Sequence, residues 1–217
     1  KKLNNLQIRD RLTRAFIMVA VILTMVSAVV LVTMIAMSRI YASTIVDYGF
    51  AQGDIGRAMS QFADSRSAMR GIIGYDEPDA IQKILSDHET YKSEFIKEFD
   101  NLESSMITQE NKTLYKDIED QLDDYWAFEQ EIIDQGAATD QEQCKLAQDK
   151  ALNELAPMYN SIYDDLTQIM EIKVHKGQEM SNMLTTIIVV LTVVIIIIIT
   201  GSIIFALTLG KGIANSI

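Results

Sequence analysis

Arg66 and Arg70 are the residues of this chain whose type and spacing best suit recognition chemistry. Residues four apart share one face of a helix, so their two guanidinium groups can converge on a single point. On a wheel of about 100° per residue with Ile55 at zero, Arg66 falls at about 20° and Arg70 at about 60°. Phe62, Met69 and Ile73 lie within about 40° of Ile55, flanked by Ala58 and Met59, so the arginines sit on the edge of an apolar stripe. A guanidinium drawn away from water needs an anionic partner. Two partners are open: a carboxylate from a neighbouring helix, or the carboxylate of a small ligand gripped through two parallel hydrogen bonds.

The same helix carries a second stripe, roughly 100–160° round the wheel, made almost wholly of small residues. It comprises Ala42, Gly49, Gly53, Gly56, Ser60, Ser67, Gly71 and Gly74. Each glycine weakens an isolated helix by about 1 kcal/mol, so the stripe is expected to be packed closely by another helix. Gly49, Gly53, Gly56, Ser60 and Ser67 are the candidate contacts for a second copy of the chain. A close neighbour within the same chain is the other reading.

If the long first helix runs antiparallel to the last, and positions 40 and 182 stand at one height, Arg66 and Arg70 come level with about positions 156 and 152. Asn153, Tyr159 and Asn160 then form the candidate second wall of a site. Pro157 stands at the same height; having no N–H, it frees a backbone carbonyl that could accept from a ligand ammonium. Core packing is the competing role for Tyr159, and plain solvation for the two asparagines.

The elements that position these residues read as helices. The glycines and acidic turn from Gly71 to Asp76, followed by Pro78, end one helix and start the next. The second helix, from about Pro78 to Glu103, has Ile81, Ile84, Leu85, Tyr91, Phe95, Phe99 and Leu102 at spacings of three and four, with His88 in the same stripe as a hydrogen-bonded structural residue. Thr108 caps the third helix, with Asn111 as the alternative; its stripe is Leu114, Ile118, Leu122, Tyr125, Phe128 and Ile132. Trp126, beside Tyr125, fills the core or lines an aromatic pocket. Thr139 or Asp140 caps the fourth, which carries Leu152, Leu155, Tyr159, Ile162, Leu166 and Ile169. Nothing outside the apolar blocks alternates as a strand would.

Composition divides the 217 residues unevenly. No charge occurs from Ala15 to Ser38 or from Met180 to Gly210, and each run exceeds the roughly 20 apolar residues that span a bilayer. Lys1, Lys2, Arg9, Arg11 and Arg14 precede the first run and Lys211 follows the second, so both ends are expected in the cytoplasm. The rest, 39–182, holds most of the acids behind the overall charge of −11, and that balance excludes a nucleic-acid partner. The expected organisation is a cytoplasmic segment 1–14, a span 15–38, an extracytoplasmic ligand-binding domain 39–182, a span 183–209 and a linker start 210–217. The fold expected is all-α: two transmembrane helices flanking an antiparallel up-down four-helix bundle. The single cysteine, Cys144, forms no internal disulfide, and with only His88 and His175 there is no transition-metal set. No cofactor is implied, and no constellation suggests catalysis by the chain itself.

This order of basic N-terminus, apolar span, four-helix bundle and second span resembles the input half of bacterial methyl-accepting chemotaxis proteins. The tail Leu207-Thr-Leu-Gly-Lys211-Gly-Ile213-Ala-Asn-Ser216-Ile217 resembles the opening of a HAMP linker, with Ser216 where that linker has proline. The resemblance implies a homodimeric receptor that passes an outside signal through its membrane helices to a cytoplasmic output domain. In amino-acid-sensing members, arginines of the first helix hold ligand carboxylates at the dimer interface. Arg66 and Arg70 match that spacing, and Gln61 stands where a third arginine would be. Sensor histidine kinases and diguanylate cyclases share such an input module and are the alternative; a structural rod without a small-molecule ligand is another.

Overall fold

The computed structural model describes residues 8–137 and 140–214. Residues 1–7 of the basic N-terminus, the candidate cap Thr139 and residues 215–217 of the linker-like tail lie outside it. The described residues are helical apart from short connections, with no strand among them. In order they form α1 (Ile8–Thr44), a π segment (Ile45–Phe50), α2 (Ala51–Ile72), α3 (Pro78–Leu102), a 3₁₀ turn (Glu103–Ser105), α4 (Gln109–Gly136), α5 (Gln141–Lys150), a second π segment (Ala151–Leu155) and α6 (Ala156–Ala214).

The helix starts follow from local chemistry. Pro78 occupies the first turn of α3, where a missing N–H costs nothing. Thr108 caps α4 by accepting from the Asn111 amide at 3.1 Å, and Asp140 caps α5 by accepting from the amides of Glu142 and Gln143. The long first helix, expected to run unbroken to the glycines that begin at Gly71, is interrupted by the first π segment and ends at Ile72. The fourth helix is interrupted by the second, just before Pro157.

Two compact units result: residues 1–43 with 179–217, and residues 44–178. In the first, Leu12–Ile72 and Gln141–Gly212 supply stretches long and apolar enough, by length and composition, to cross a membrane. In the second, four helical layers share one core. Ile55, Phe62 and Met69 of α2 meet Phe95 and Phe99 of α3, Ile118 and Tyr125 of α4, and Ile162, Leu166 and Ile169 of α6. The spacings of three and four in the sequence are the inward stripes of these helices, except for Leu152, which the second π segment leaves 65% exposed.

One end of this bundle is sealed around Gly136. A Cβ there would stand 2.8 Å from Ile73 Cβ and 3.1 Å from Ala147 Cβ, so only glycine lets α4 end against both neighbours. The Cys144 thiol donates to the Gly136 carbonyl at 3.0 Å, and Gln148 Nε2 donates to the Ile73 carbonyl at 2.8 Å. Gly136→Ala is therefore expected to overpack the junction by about 1–3 kcal/mol. That exceeds the roughly 1 kcal/mol of helix propensity gained, so the melting temperature falls; a rise on calorimetry would contradict the packing described.

Candidate functional site

The site is built on α2, and its floor is aromatic. Phe62 is fully buried and stacks on Tyr159 with ring centroids 4.6 Å apart and planes inclined by 12°. Tyr159 stacks in turn on Tyr163 at 5.5 Å. Arg66, one turn beyond Phe62 on the same helix, lays its guanidinium 4.0 Å above the Tyr159 ring. Stacking uses the face of the guanidinium and leaves its N–H edges available to donate. Burial raises the Tyr159 pKa, opposed by the Arg66 charge beside it, so the hydroxyl stays protonated at neutral pH.

Arg70 is exposed. It lines a cavity of about 200 Å³ with Ile73, Gln148, Ala151 and Leu152. A water molecule's share of liquid volume is about 30 Å³, so the cavity has room for several waters or one small molecule. Among the described residues neither Arg66 nor Arg70 has a carboxylate within 4.0 Å. The arginine that does pair internally is Arg57, with Asp54 and with Glu98 at 3.1 Å. The acids of the bundle thus serve a different arginine, and Arg66 is held by an aromatic ring instead.

The second π segment adds an acceptor to the cavity. The Ala156 amide donates to the Ala151 carbonyl, five residues back. The Leu152 carbonyl thereby loses its α-helical donor, Ala156, and its π-type donor would be Pro157, which has no N–H. A backbone acceptor without a helical partner therefore belongs to the same residue that lines the cavity with Arg70. Arg70 and Leu152 line one cavity, and a cation with a free carbonyl would complement a carboxylate and a neighbouring donor in one small molecule.

Of the predicted wall, Tyr159 packs under Arg66, whereas Asn153 and Asn160 are exposed. Asn153 Nδ2 donates to the Asp149 carbonyl at 2.9 Å. Gln148 was not singled out by the sequence, and Ile73 and Leu152 were read only as core-stripe residues, because a π segment has no residue pattern of its own; the signal available was Pro157 at the right height. Gly49, Gly53, Gly56, Ser60 and Ser67 lie on the exposed side of their helical segments. Gly71 does not: a Cβ there would stand 3.3 Å from Ile84 Cδ1, so its small size serves α3.

Two larger grooves lack this complementarity. One of about 550 Å³ lies between α1 and the later part of α6, lined by residues such as Met34, Met37, Leu184 and Ile188, and has no charged lining group. The other, about 450 Å³, is lined by Glu110, Glu171, Ile172, His175 and Lys176. Its two carboxylates disfavour an anion, and the described residues contain no cluster of three metal-ligating side chains. The smaller cavity at Arg70 is preferred because it joins a cation and an unpaired acceptor.

A different polar cluster is closed off in the core. His88 Nε2 lies 3.0 Å from Glu129 Oε2, and the Tyr125 hydroxyl donates to Glu129 Oε1 at 3.1 Å. All three residues are at most 1% exposed. Burial first, and the Glu129 charge second, push the Tyr125 phenol well above its ordinary range, so it remains a donor.

No curated protein and no solved structure matches the chain at a significant level. A family model described as a four-helix-bundle sensory module for signal transduction matches residues 5–187. With the four-layered bundle, its shared core and the long apolar helices in place, the chain belongs to the family of four-helix-bundle sensory modules of methyl-accepting chemoreceptors.

Proposed function

We propose that this module is the input half of a transmembrane chemoreceptor that senses a small carboxylate, amino-acid-like or organic-acid-like, outside the cell. The observation that carries the reading is the pairing at one cavity of Arg70, which has no carboxylate partner, with the unpaired Leu152 carbonyl. Arg66, seated on Tyr159, supplies a second cationic edge one turn away. The two apolar segments cross the membrane, both termini are cytoplasmic, and the lipid bilayer is the partner of their exposed side chains. The exposed small residues of the first long helix make the homodimer contact. Bound ligand favours one of two packings of α2 against α6, and that difference in affinity shifts the population seen by a cytoplasmic output domain.

Calorimetric titration of the full chain in lipid nanodiscs with amino acids and small organic acids tests this. At least one carboxylate compound should bind, and its methyl ester should bind about 10–100-fold more weakly, the effect of losing hydrogen bonds to a charged group worth about 1.5–3 kcal/mol. Equal binding of acid and ester would remove the basis for the reading.

A further inference from the structure

The other end of the bundle holds a lysine where composition alone gives no reason for one. Lys173, on α6, is 0% exposed. Its ammonium donates to the Asp47 carbonyl at 3.0 Å and to the Ser105 carbonyl at close range, and lies 5.6 Å from the centroid of the Tyr48 ring. Among the described residues no carboxylate stands within 4.0 Å of it. Three segments far apart in sequence are thus tied by one side chain: the first π segment, the turn after α3, and α6.

Each acceptor is there for a physical reason. In an α-helix the Ala51 amide would donate to Asp47; here it donates to the Tyr48 carbonyl, which leaves the Asp47 carbonyl available to Lys173. Ser105 ends the turn that follows α3, and neither element has a basic residue in its last turn. The negative end of that helix is met by a cation from another helix. Gly177, one turn after Lys173, faces the same segment: a Cβ there would meet Tyr48 Cβ at 3.4 Å, an ordinary contact distance.

These contacts make an all-or-none fastening. A buried ammonium is costly unless its donors are used, and a hydrogen bond at 3.0 Å fails within a few tenths of an ångström beyond its limit. A displacement of α6 by about 1.5 Å, the rise of one residue, breaks both bonds, whereas apolar contacts slide by that amount and re-form. We propose that Lys173 is a latch that sets the register of α6 against the first π segment, so that α6 moves only when the latch opens. The latch itself is independent of any ligand; its role in signalling rests on the receptor reading above.

Hydrogen–deuterium exchange on the full chain in nanodiscs, without ligand, tests the latch. In Lys173→Met, which keeps stem length and removes the donors, exchange should rise 10-fold or more in residues 45–52 and 103–108. Peptides covering 58–66, 92–99 and 122–129 should be unchanged. Lys173→Gln, which retains two N–H donors on a shorter stem, should give the same local pattern at smaller amplitude, and it serves if the methionine chain fails to fold. Unchanged exchange at both segments, or a rise of equal size throughout the bundle, would overturn the proposal. The titrations of the Arg70 cavity would stand either way, because they read the opposite end of the bundle.

Discussion

Replacing Phe62 by alanine is expected to lower the stability of the bundle by about 3–5 kcal/mol, the range for truncating a buried aromatic. Phe62 is where the helices meet. It stacks on Phe95 of α3 at 4.9 Å and on Tyr159 of α6 at 4.6 Å, and it meets Tyr125 and Trp126 of α4 at 5.1 and 5.7 Å. Its neighbours are rigid rings in contact with one another, so the cavity cannot collapse and the transfer and cavity terms add. Phe62→Leu keeps most of the volume and should cost less than half as much. Denaturant unfolding followed by the near-UV signal of Trp126 reads both variants. A loss below about 1.5 kcal/mol for the alanine, the level of a volume-conserving swap, would mean that Phe62 is not the hub of the core.

The second large effect concerns the closed cluster of His88, Glu129 and Tyr125. His88→Ala leaves the Glu129 carboxylate buried with a single donor, the Tyr125 hydroxyl. Removing one partner of a buried hydrogen-bonded pair costs about 1–3 kcal/mol, and more where the group left behind is charged, because Glu129 then keeps a donor on one oxygen only. Replacing both His88 and Glu129 by leucine removes the stranded polar group as well as its partner and should cost less than the single substitution. The double-mutant cycle therefore has a coupling energy of definite sign. If the double variant is less stable than His88→Ala, the cluster acts through the shape of its side chains rather than through its hydrogen bonds.

Much of this fold was legible before any coordinates. Apolar spacings of three and four gave the inward faces of α3 and α4, and Pro78, Thr108 and Asp140 marked their starts through ordinary capping chemistry. The two π segments were not legible. A helical wheel assumes one constant angle per residue, and six π residues at Ile45–Phe50 break that phase. Ala42 therefore cannot be placed on one continuous stripe with Gly53 and Ser60. Pro157 announced a freed carbonyl, and the α-helical rule points to Asn153; the widened turn, in which the Ala156 amide reaches Ala151, also deprives Leu152 of its donor.

The candidate site was legible in its arginines and obscure in their surroundings. Charge counting makes an internal carboxylate the obvious partner for Arg66, yet the acids of the bundle lie largely on solvated faces and an aromatic ring takes that place. His88 read correctly as a hydrogen-bonded core residue, while its partner Glu129 was hidden among many acids. The available sign was its position four residues after Tyr125, on the buried face of α4. Lys173 carried one sign, its place four residues after Ile169 on the stripe of Ile162 and Leu166; its acceptors were hidden because both are backbone carbonyls whose freedom depends on local geometry.

The receptor reading stands on Arg70 gripping a ligand carboxylate. The most direct measurement is calorimetric titration of a binding carboxylate into the wild-type chain, Arg70→Ala, and Arg57→Ala as a control whose arginine is already paired with Asp54 and Glu98. The account predicts affinity lower by about 10–100-fold in Arg70→Ala, from the loss of about 1.5–3 kcal/mol of charge-assisted hydrogen bonding, and unchanged in Arg57→Ala. Equal affinity in the wild-type chain and Arg70→Ala would contradict it.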